Sequence, residues 1–188
     1  MCNPSFLLQT LSLISALPSR KNLDMDDIEK RGEITIDSIY GPLLNKIFAS
    51  FGAHAADVAF MEVALIYGLY LSDHSNLTPI ETEVVVYAAI LTIGLWGPSL
   101  WHTRGLGRVL GARRNEEAEG IDAGRKEKLE TIKDVVKGCR VACMTVVEFV
   151  GPEYVRRSAM EDGGEGKGWP NVGDVSRELG GWGDDDMR

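Results

Sequence analysis

Apolar side chains dominate one stretch in the middle of the chain, Leu77 to Gly107. The sequence from Thr78 to Glu81 has the spacing of a capping box with proline at the first helical position, so a helix is predicted to begin here. The almost wholly apolar run from Ile80 to Ile93 predicts a helix that is buried on most sides. Gly94 predicts its end, and Pro98 predicts the start of a second helix. The stretch is therefore predicted to form a helical hairpin.

Apolar residues spaced three and four apart predict further helices on both sides of this hairpin. One amphipathic helix is predicted from Asp37 to Phe51, a second from about Ala55 to Leu71, and a long one from Arg125 to Phe149. The apolar face of the second helix is formed by Val58, Met61, Leu65, Ile66 and Leu69. The stretch from Val141 to Val150 could also form a strand, but a single strand in a helical chain would have no partner. The sequence therefore predicts an all-α bundle built around the central hairpin.

The two ends of the chain differ in composition from its centre. Residues 1–34 hold an uncharged apolar stretch, Cys2 to Ser19, and then a charged stretch, Asn22 to Glu33. We predict a short amphipathic helix followed by an exposed connector. Residues 35–150 are predicted to form the helical domain. Residues 151–188 are rich in glycine and in charged side chains, so a flexible acidic tail is predicted there.

Composition narrows the classes of function. The chain has 188 residues, which suits one domain with a sizeable core. Its 20 basic and 28 acidic residues give a net charge of −8, so neither nucleic acid nor a membrane is expected as a partner. Three cysteines do not make a disulfide framework and fit a reducing compartment. We therefore expect a cytoplasmic protein, or a mitochondrial one if the N-terminal stretch is a targeting sequence.

One carboxylate and one imidazole are predicted to meet across the hairpin. Antiparallel packing of the two helices brings Glu83 alongside His102, and a carboxylate on an apolar helix is costly to bury without a donor. A histidine with a pKa near neutrality can move protons, and a buried carboxylate can fix its tautomer and orientation. Glu83 and His102 are therefore the candidate catalytic residues. The alternative is that the pair only stabilises the core.

Three aromatic residues near this pair are candidate substrate-binding residues. Trp96 and Trp101 flank the turn and can line a pocket for a flat ligand. Tyr87 lies one turn beyond the glutamate, where its hydroxyl can stabilise an enolate oxygen. Each of the three can equally be a core residue. Arg104 and Arg108 are predicted to point away from the histidine and to pair with acids or face solvent.

The same stretch resembles a known superfamily. Residues Leu77 to Glu83 are similar to the L-P-P-x-E-x-E segment of the carboxymuconolactone decarboxylase and alkylhydroperoxidase-D superfamily. Gly94, Leu95, Pro98 and His102 fall on its G-C-x-x-C-x-x-x-H segment, with leucine and proline where the redox branch has its two cysteines. The resemblance is strong over the hairpin and extends loosely over the helical domain.

The missing thiols separate the branches of that superfamily. Reduction of a peroxide needs a thiolate and a resolving thiol, so a peroxidase is disfavoured. The resemblance then implies a cofactor-independent decarboxylase acting on a small unsaturated carboxylated or phenolic metabolite. In this hypothesis His102 protonates an enolate intermediate and Glu83 orients His102. A related isomerisation or cyclisation stays open. The resemblance also implies an alkylhydroperoxidase-D-like bundle that assembles into trimers or hexamers.

Two alternatives to an acid–base enzyme stay open. The protein could be a non-catalytic oligomeric scaffold, or a relative of the thiol-dependent peroxidases that has lost its cysteines. The sequence contains no phosphate-binding loop, dinucleotide fingerprint or metal-ligand set. We therefore expect neither a cofactor nor a metal, and a small-molecule substrate as the partner.

Overall fold

The computed structural model describes residues 23–75, 77–113, 120–151 and 169–183, which form helices and turns without a strand. The predicted all-α fold is confirmed. In chain order the helices are α1 (Met25–Tyr40), α2 (Leu43–Ala49), α3 (Ala55–Phe60) continuing directly as a π-helix (Met61–Leu71), α4 (Pro79–Ile93), α5 (Trp96–Val109), α6 (Ala123–Val150) and α7 (Val172–Leu179). The predicted N-terminal helix, Cys2 to Ser19, lies outside the described residues.

The central hairpin forms as predicted from α4 and α5. The Thr78 hydroxyl accepts a hydrogen bond from the Glu81 N–H, and the Glu81 carboxylate accepts one from the Thr78 N–H, which completes the capping box. Helix α4 ends at Gly94, whose φ of 76° is left-handed. Helix α5 is buried along most of its length and contacts α1, α4, α6 and α7. It is therefore the centre of the bundle.

Two apolar cores lie on different sides of α5. The first joins α4, α5, α6 and α7 and contains Tyr87, Leu91, Leu100, Leu106, Ala112, Leu129, Ile132, Val136, Val147, Trp169, Val172, Val175 and Trp182. The second joins α1, α2 and the π-helix and contains Ile36, Ile39, Tyr40, Ile47 and Tyr67. The candidate site described below belongs to the second core.

Helix α1 corrects the prediction for residues 22–33. An exposed connector was expected there, but the helix begins at Met25, with the Asp24 carboxylate accepting the Asp27 N–H at 2.8 Å. The buried side of this charged stretch includes Ile28 and Gly32. A Cβ atom on Gly32 would lie only 2.9 Å from the Cα of Gly68, so α1 and the π-helix cross in backbone contact. Because this stretch has few apolar residues, its sequence did not indicate that α1 crosses the π-helix at close range.

The C-terminal part of the chain corrects a second prediction. A flexible tail was expected, but Trp169 and Trp182 are 4% and 0% exposed and belong to the first core. A Cβ atom on Gly107 would lie 2.2 Å from Cζ3 of Trp182, so this glycine makes room for the indole ring. Two buried tryptophans outweigh the flexibility that glycine content predicts. Residues 152–168 and 184–188 lie outside the described part of the chain.

One segment has the length and composition of a membrane-spanning helix. It covers Gly52–Leu71, 20 residues with a mean hydropathy of 1.3, and 17% of it is buried. Several side chains of the segment line the cavity described below. The absence of a membrane partner stays a prediction from charge.

Candidate functional site

The predicted meeting of Glu83 and His102 is confirmed. Oε1 of Glu83 lies 2.8 Å from Nδ1 of His102, and the two side chains are 1% and 2% exposed. A carboxylate in this position accepts the Nδ1–H bond and thereby selects the tautomer in which Nε2 carries a lone pair. The carboxylate therefore fixes both the ring orientation and the nitrogen that can accept a proton.

A glycine on α5 leaves space for this pair. A Cβ atom on Gly105 would lie 2.9 Å from Oε1 of Glu83 and 2.5 Å from Cγ2 of Ile39. Both distances are too short for an added carbon atom unless the neighbours move. Any larger residue at this position would push the carboxylate away from the imidazole.

Two tyrosines extend the pair into a hydrogen-bonded chain. The hydroxyl of Tyr40 lies 2.8 Å from Nε2 of His102, and the hydroxyl of Tyr67 donates to that of Tyr40 at 3.1 Å. Because Nε2 is the accepting nitrogen, Tyr40 donates to it. We call the series Glu83, His102, Tyr40 and Tyr67 the relay. Sequence reasoning missed both tyrosines, since they come from α1 and the π-helix.

Burial keeps the tyrosines of the relay in their neutral form. Removal from water disfavours the phenolate, and it raises the pKa of Tyr40 and of Tyr67 well above the ordinary value. The negative charge of Glu83 acts in the same direction on both groups. Each tyrosine is therefore a neutral hydrogen-bonding group at physiological pH, and neither holds a lasting negative charge.

Arg104 and Arg108 correct a further prediction, because they are buried at 4% and 1% exposure. Arg104 donates to the carbonyl of Tyr40 at 2.7 Å and to that of Gly181 at 3.0 Å. Arg108 donates to the carbonyls of Ile39 and Trp182, both at 3.0 Å. Carbonyls at a helix C-terminus lack helical partners and favour cations. The two arginines thus fix the end of α1, and with it Tyr40, to the C-terminal segment.

The relay borders an apolar cavity of about 380 Å³. Its lining includes Trp101, one of the three predicted substrate-binding residues. The full lining is Ile36, Tyr40, Leu44, Ile47, Phe48, Phe51, Val58, Glu62, Ile66, Tyr67, Leu71, Val86, Ile90, Pro98, Trp101 and His102. No lysine or arginine occurs in this lining. Small-molecule sites have cavities of about 300–1,000 Å³, so the size suits a small metabolite.

Glu62 is a cavity residue that sequence reasoning missed. Burial raises the pKa of its carboxyl group, while the positive charge that His102 can carry opposes the rise. Within the described residues the Glu62 carboxylate has no hydrogen bond or ion pair, unlike that of Glu83. A lone charged residue inside the apolar run Phe60 to Leu71 was the available signal. Its carboxylate is therefore free to meet a ligand.

The π-helix explains how Glu62 and Tyr67 share one cavity. Residues five apart in an α-helix differ in direction by about 140°. Hydrogen bonds from residue i to i+5 place such residues on neighbouring turns of the same side. Both side chains line the cavity, which the period of an α-helix does not predict.

Two predicted substrate-binding residues lie away from this cavity. Tyr87 is 0% exposed and packs in the first core, because its side chain faces α6. Burial raises the pKa of its hydroxyl to about 12. The indole N–H of Trp96 donates to the carboxylate of Glu178 at 3.3 Å, which ties the hairpin to α7. Neither side chain is in the cavity lining.

The described thiols are also remote from His102. Cys139 and Cys143 border a separate apolar groove of about 490 Å³ between α4 and α6. Burial raises the pKa of both thiols, which lowers the fraction of reactive thiolate. Cys2 lies outside the described residues. Within the described ranges, no group of three or more His, Cys, Asp or Glu side chains is placed to hold a metal ion.

Comparisons with known proteins add one partial match. The chain is 29% identical over 65 residues to a protein of Schizosaccharomyces pombe named Peroxisomal protein 2, and the match covers 35% of this chain and 30% of that protein. The chain thus spans less than a third of that relative. No protein-family model matches the sequence, and no solved structure matches it. The superfamily resemblance of the hairpin stays a prediction.

Proposed function

We propose that the protein is a cofactor-independent acid–base enzyme that moves a proton on a small uncharged molecule bound in the 380 Å³ cavity. The observation that carries this proposal is the relay, in which a buried carboxylate, an imidazole and two phenols are hydrogen-bonded in series. The series ends at the wall of an apolar cavity. Buried polar groups are costly unless they are paired, so these hydrogen bonds stabilise the buried side chains, while Oε2 of Glu83 has no hydrogen-bond partner within the described residues.

The relay can carry a proton in either direction. With His102 neutral, Tyr67 donates to Tyr40 and Tyr40 donates to Nε2. When Nε2 takes up a proton, both hydrogen bonds reverse, and the O–H of Tyr67 becomes free to donate into the cavity. The Glu83 carboxylate stabilises the positive charge that His102 gains. A proton given to an oxygen atom in the cavity is thus replaced from His102 through the two tyrosines.

The cavity favours an uncharged substrate over a carboxylate. A substrate carboxylate in an apolar site requires a cationic partner, and the lining supplies neither lysine nor arginine. Glu62 would repel such a group. Enolisation, isomerisation or cyclisation of a neutral carbonyl or phenolic compound therefore fits the lining better than decarboxylation of a carboxylated one. Decarboxylation stays a prediction from the resemblance.

The alternative of a non-catalytic scaffold differs in one testable respect. A scaffold uses the relay only to hold helices together, so no ligand should depend on the hydroxyl of Tyr67 for binding. 2-Naphthol is a suitable probe, because a flat phenol imitates an enolate. Calorimetric titration should show binding by the native protein. Loss of one hydrogen bond of about 0.5–1.5 kcal/mol should weaken binding by roughly 2- to 13-fold in Tyr67→Phe.

The matched control for this titration is Tyr70→Phe. Tyr70 lies on the same π-helix, is 56% exposed, and is not in the cavity lining. Its substitution should leave 2-naphthol binding unchanged. Equal binding by the native protein and by Tyr67→Phe, or no binding by the native protein, would count against the proposed function.

Self-association into a trimer or hexamer is part of the proposal. Its support is the set of large apolar side chains that are exposed in a single chain, among them Phe60 at 53%, Val146 at 59% and Phe149 at 90%. Patches of this kind mark interfaces. Sedimentation velocity should show species larger than a monomer, and Phe149→Glu should shift them toward the monomer. A native protein that sediments as a monomer at all concentrations would contradict this part.

A location in an organelle, the peroxisome, is also proposed. It is supported by the name of the partly matching protein of Schizosaccharomyces pombe. Imaging of the full chain fused to a fluorescent protein should show punctate signal that coincides with a peroxisomal marker. Diffuse cytoplasmic signal, or signal that follows mitochondria, would instead favour the two locations expected from the sequence.

A further inference from the structure

Two different proton-handling groups border the same cavity. The relay presents the hydroxyl groups of Tyr40 and Tyr67, and the π-helix presents the carboxylate of Glu62. The relay groups are hydrogen-bonded to each other, whereas Glu62 has no such partner within the described residues. One wall thus offers donors suited to an oxygen atom, and a free carboxylate is left for another atom of the ligand.

His102 is not placed to exchange a proton with a carbon atom itself. His102 lines the cavity, but its Nδ1 is occupied by Glu83 and its Nε2 by Tyr40, both at 2.8 Å. A general base must come within hydrogen-bond reach of the proton that it removes. Glu62 is half-buried and lines the cavity, so a ligand bound there can come within hydrogen-bond reach of its carboxylate.

We propose that Glu62 is the general base of the enzyme and that its substrate class is a small neutral β,γ-unsaturated ketone, which it isomerises to the conjugated ketone. This inference rests on the proposed function, because it uses the relay as the donor to the substrate oxygen. It adds the group that touches carbon, and the reaction that the two groups together perform.

The proton and electrons balance without a co-reactant. An oxygen of Glu62 takes a proton from the carbon between the carbonyl group and the double bond. The C–H electron pair forms a new C=C bond, and the carbonyl π pair moves to the oxygen atom. Tyr67, with the relay in its protonated state, donates a hydrogen bond to this dienolate oxygen. Glu62 then returns the proton to the γ carbon, where the π pair of the old double bond forms the C–H bond. The oxygen pair re-forms the C=O bond, and the pair of the enolate C=C bond moves to become the conjugated double bond.

Two features of the site support Glu62 in this role. Burial raises the pKa of its carboxyl group, which makes the carboxylate a stronger base than an exposed one. The cavity around it is otherwise lined by aliphatic and aromatic side chains and suits the carbon skeleton of a ketone. Ketone isomerisation of this kind is known to use a carboxylate as the base and a tyrosine hydroxyl as a hydrogen-bond donor to the substrate oxygen, in an apolar site.

The experiment uses 3-cyclohexen-1-one as the probe and follows the ultraviolet absorbance of the conjugated product. The full chain should accelerate the conversion above the buffer rate. Glu62→Gln keeps the shape of the side chain but removes the base, so its rate should fall by about 100-fold or more. Glu33→Gln is the matched control, because Glu33 is exposed on α1, and its rate should equal that of the native protein.

A second measurement separates the base from the relay. Binding of 2-naphthol needs the donors but not the base, so Glu62→Gln should bind it as well as the native protein or better. Tyr67→Phe should weaken binding and slow the reaction. In D₂O, the native protein should exchange the proton on the carbon between the two unsaturated groups, and Glu62→Gln should not.

Each outcome has one meaning. A rate for Glu62→Gln within threefold of the native rate overturns the assignment of the base and leaves the proposed function standing. Relay-dependent binding of 2-naphthol without any conversion or exchange of the ketone also overturns the inference alone. A native protein that neither binds 2-naphthol nor converts the ketone overturns both.

Discussion

Replacing Glu83 with glutamine tests whether the buried carboxylate serves proton transfer or only packing. The amide has nearly the shape of the carboxylate and can still accept the Nδ1–H bond of His102 at the 2.8 Å position. What it removes is the negative charge. Stability and activity should therefore respond to different extents.

The cost to folding is expected to be modest. A hydrogen bond to a charged group contributes about 1.5–3 kcal/mol and a neutral one about 0.5–1.5 kcal/mol, so Glu83→Gln should lower the free energy of unfolding by about 1–2 kcal/mol. Glu83→Gln should destabilise the positively charged form of His102 by more than it destabilises the fold. At 2.8 Å and an effective dielectric constant of about 20, opposite charges attract by about 6 kcal/mol. Without this attraction, the free energy of proton uptake by His102 becomes less favourable by several kcal/mol.

The rate should consequently fall by roughly 100- to 10,000-fold, the range for loss of general acid–base catalysis. Urea denaturation measures the first effect, and conversion of 3-cyclohexen-1-one measures the second. Glu81→Gln is the control, because it removes a negative charge from the exposed start of the same helix, keeps a capping-box residue there, and should leave the rate unchanged. A normal rate in Glu83→Gln, or an equal loss of rate in both variants, would refute the electrostatic role of Glu83.

Three further predictions concern residues around the site. Gly105→Ala inserts a carbon 2.9 Å from Oε1 of Glu83, so urea denaturation should show a loss of about 1–3 kcal/mol, with slower conversion of the ketone. Trp182→Ala empties a fully buried position and should cost about 3–5 kcal/mol by the same measurement; an unchanged midpoint would mean that the C-terminal segment does not dock. Glu62 must be ionised to act, and burial raises its pKa above the ordinary value of 4.5. As the pH is lowered, kcat/KM should therefore begin to fall at a pH above 4.5. A pH profile in which kcat/KM falls only at or below that value would contradict this assignment.

The hairpin could be predicted because its signals are local. The capping box at Thr78, the left-handed Gly94 and the proline near the start of α5 each act within a few residues. Glu83 and His102 could be paired from the same information, since helix geometry and a short turn determine which positions meet. Helical periodicity also located the long helix α6, which runs Ala123–Val150 against a predicted Arg125 to Phe149.

The rest of the site depends on contacts between distant segments. Tyr40 reaches His102 because α1 ends at Gly41, whose φ is 51° and which Pro42 follows, and two distant arginines bind the last carbonyls of the helix. No local pattern shows that Arg104 or Arg108 will be buried. The docking of Trp182 depends on the space left by Gly107, which is also visible only in three dimensions. A charged helix and a glycine-rich segment were therefore misread as a connector and a tail.

The clearest disagreement between pattern and structure falls at the cavity itself. The 3.6-residue period of an α-helix predicted that Met61 and Leu65 face the core, but their side chains are 43% and 39% exposed. The π-helix instead turns Glu62 and Tyr67 toward the cavity. A widened helix that exposes apolar side chains and directs a carboxylate inward gives up burial energy. Sequences keep such departures from local preference mainly where a site requires them. The position of this departure, beside the relay, favours a functional cavity over a scaffold.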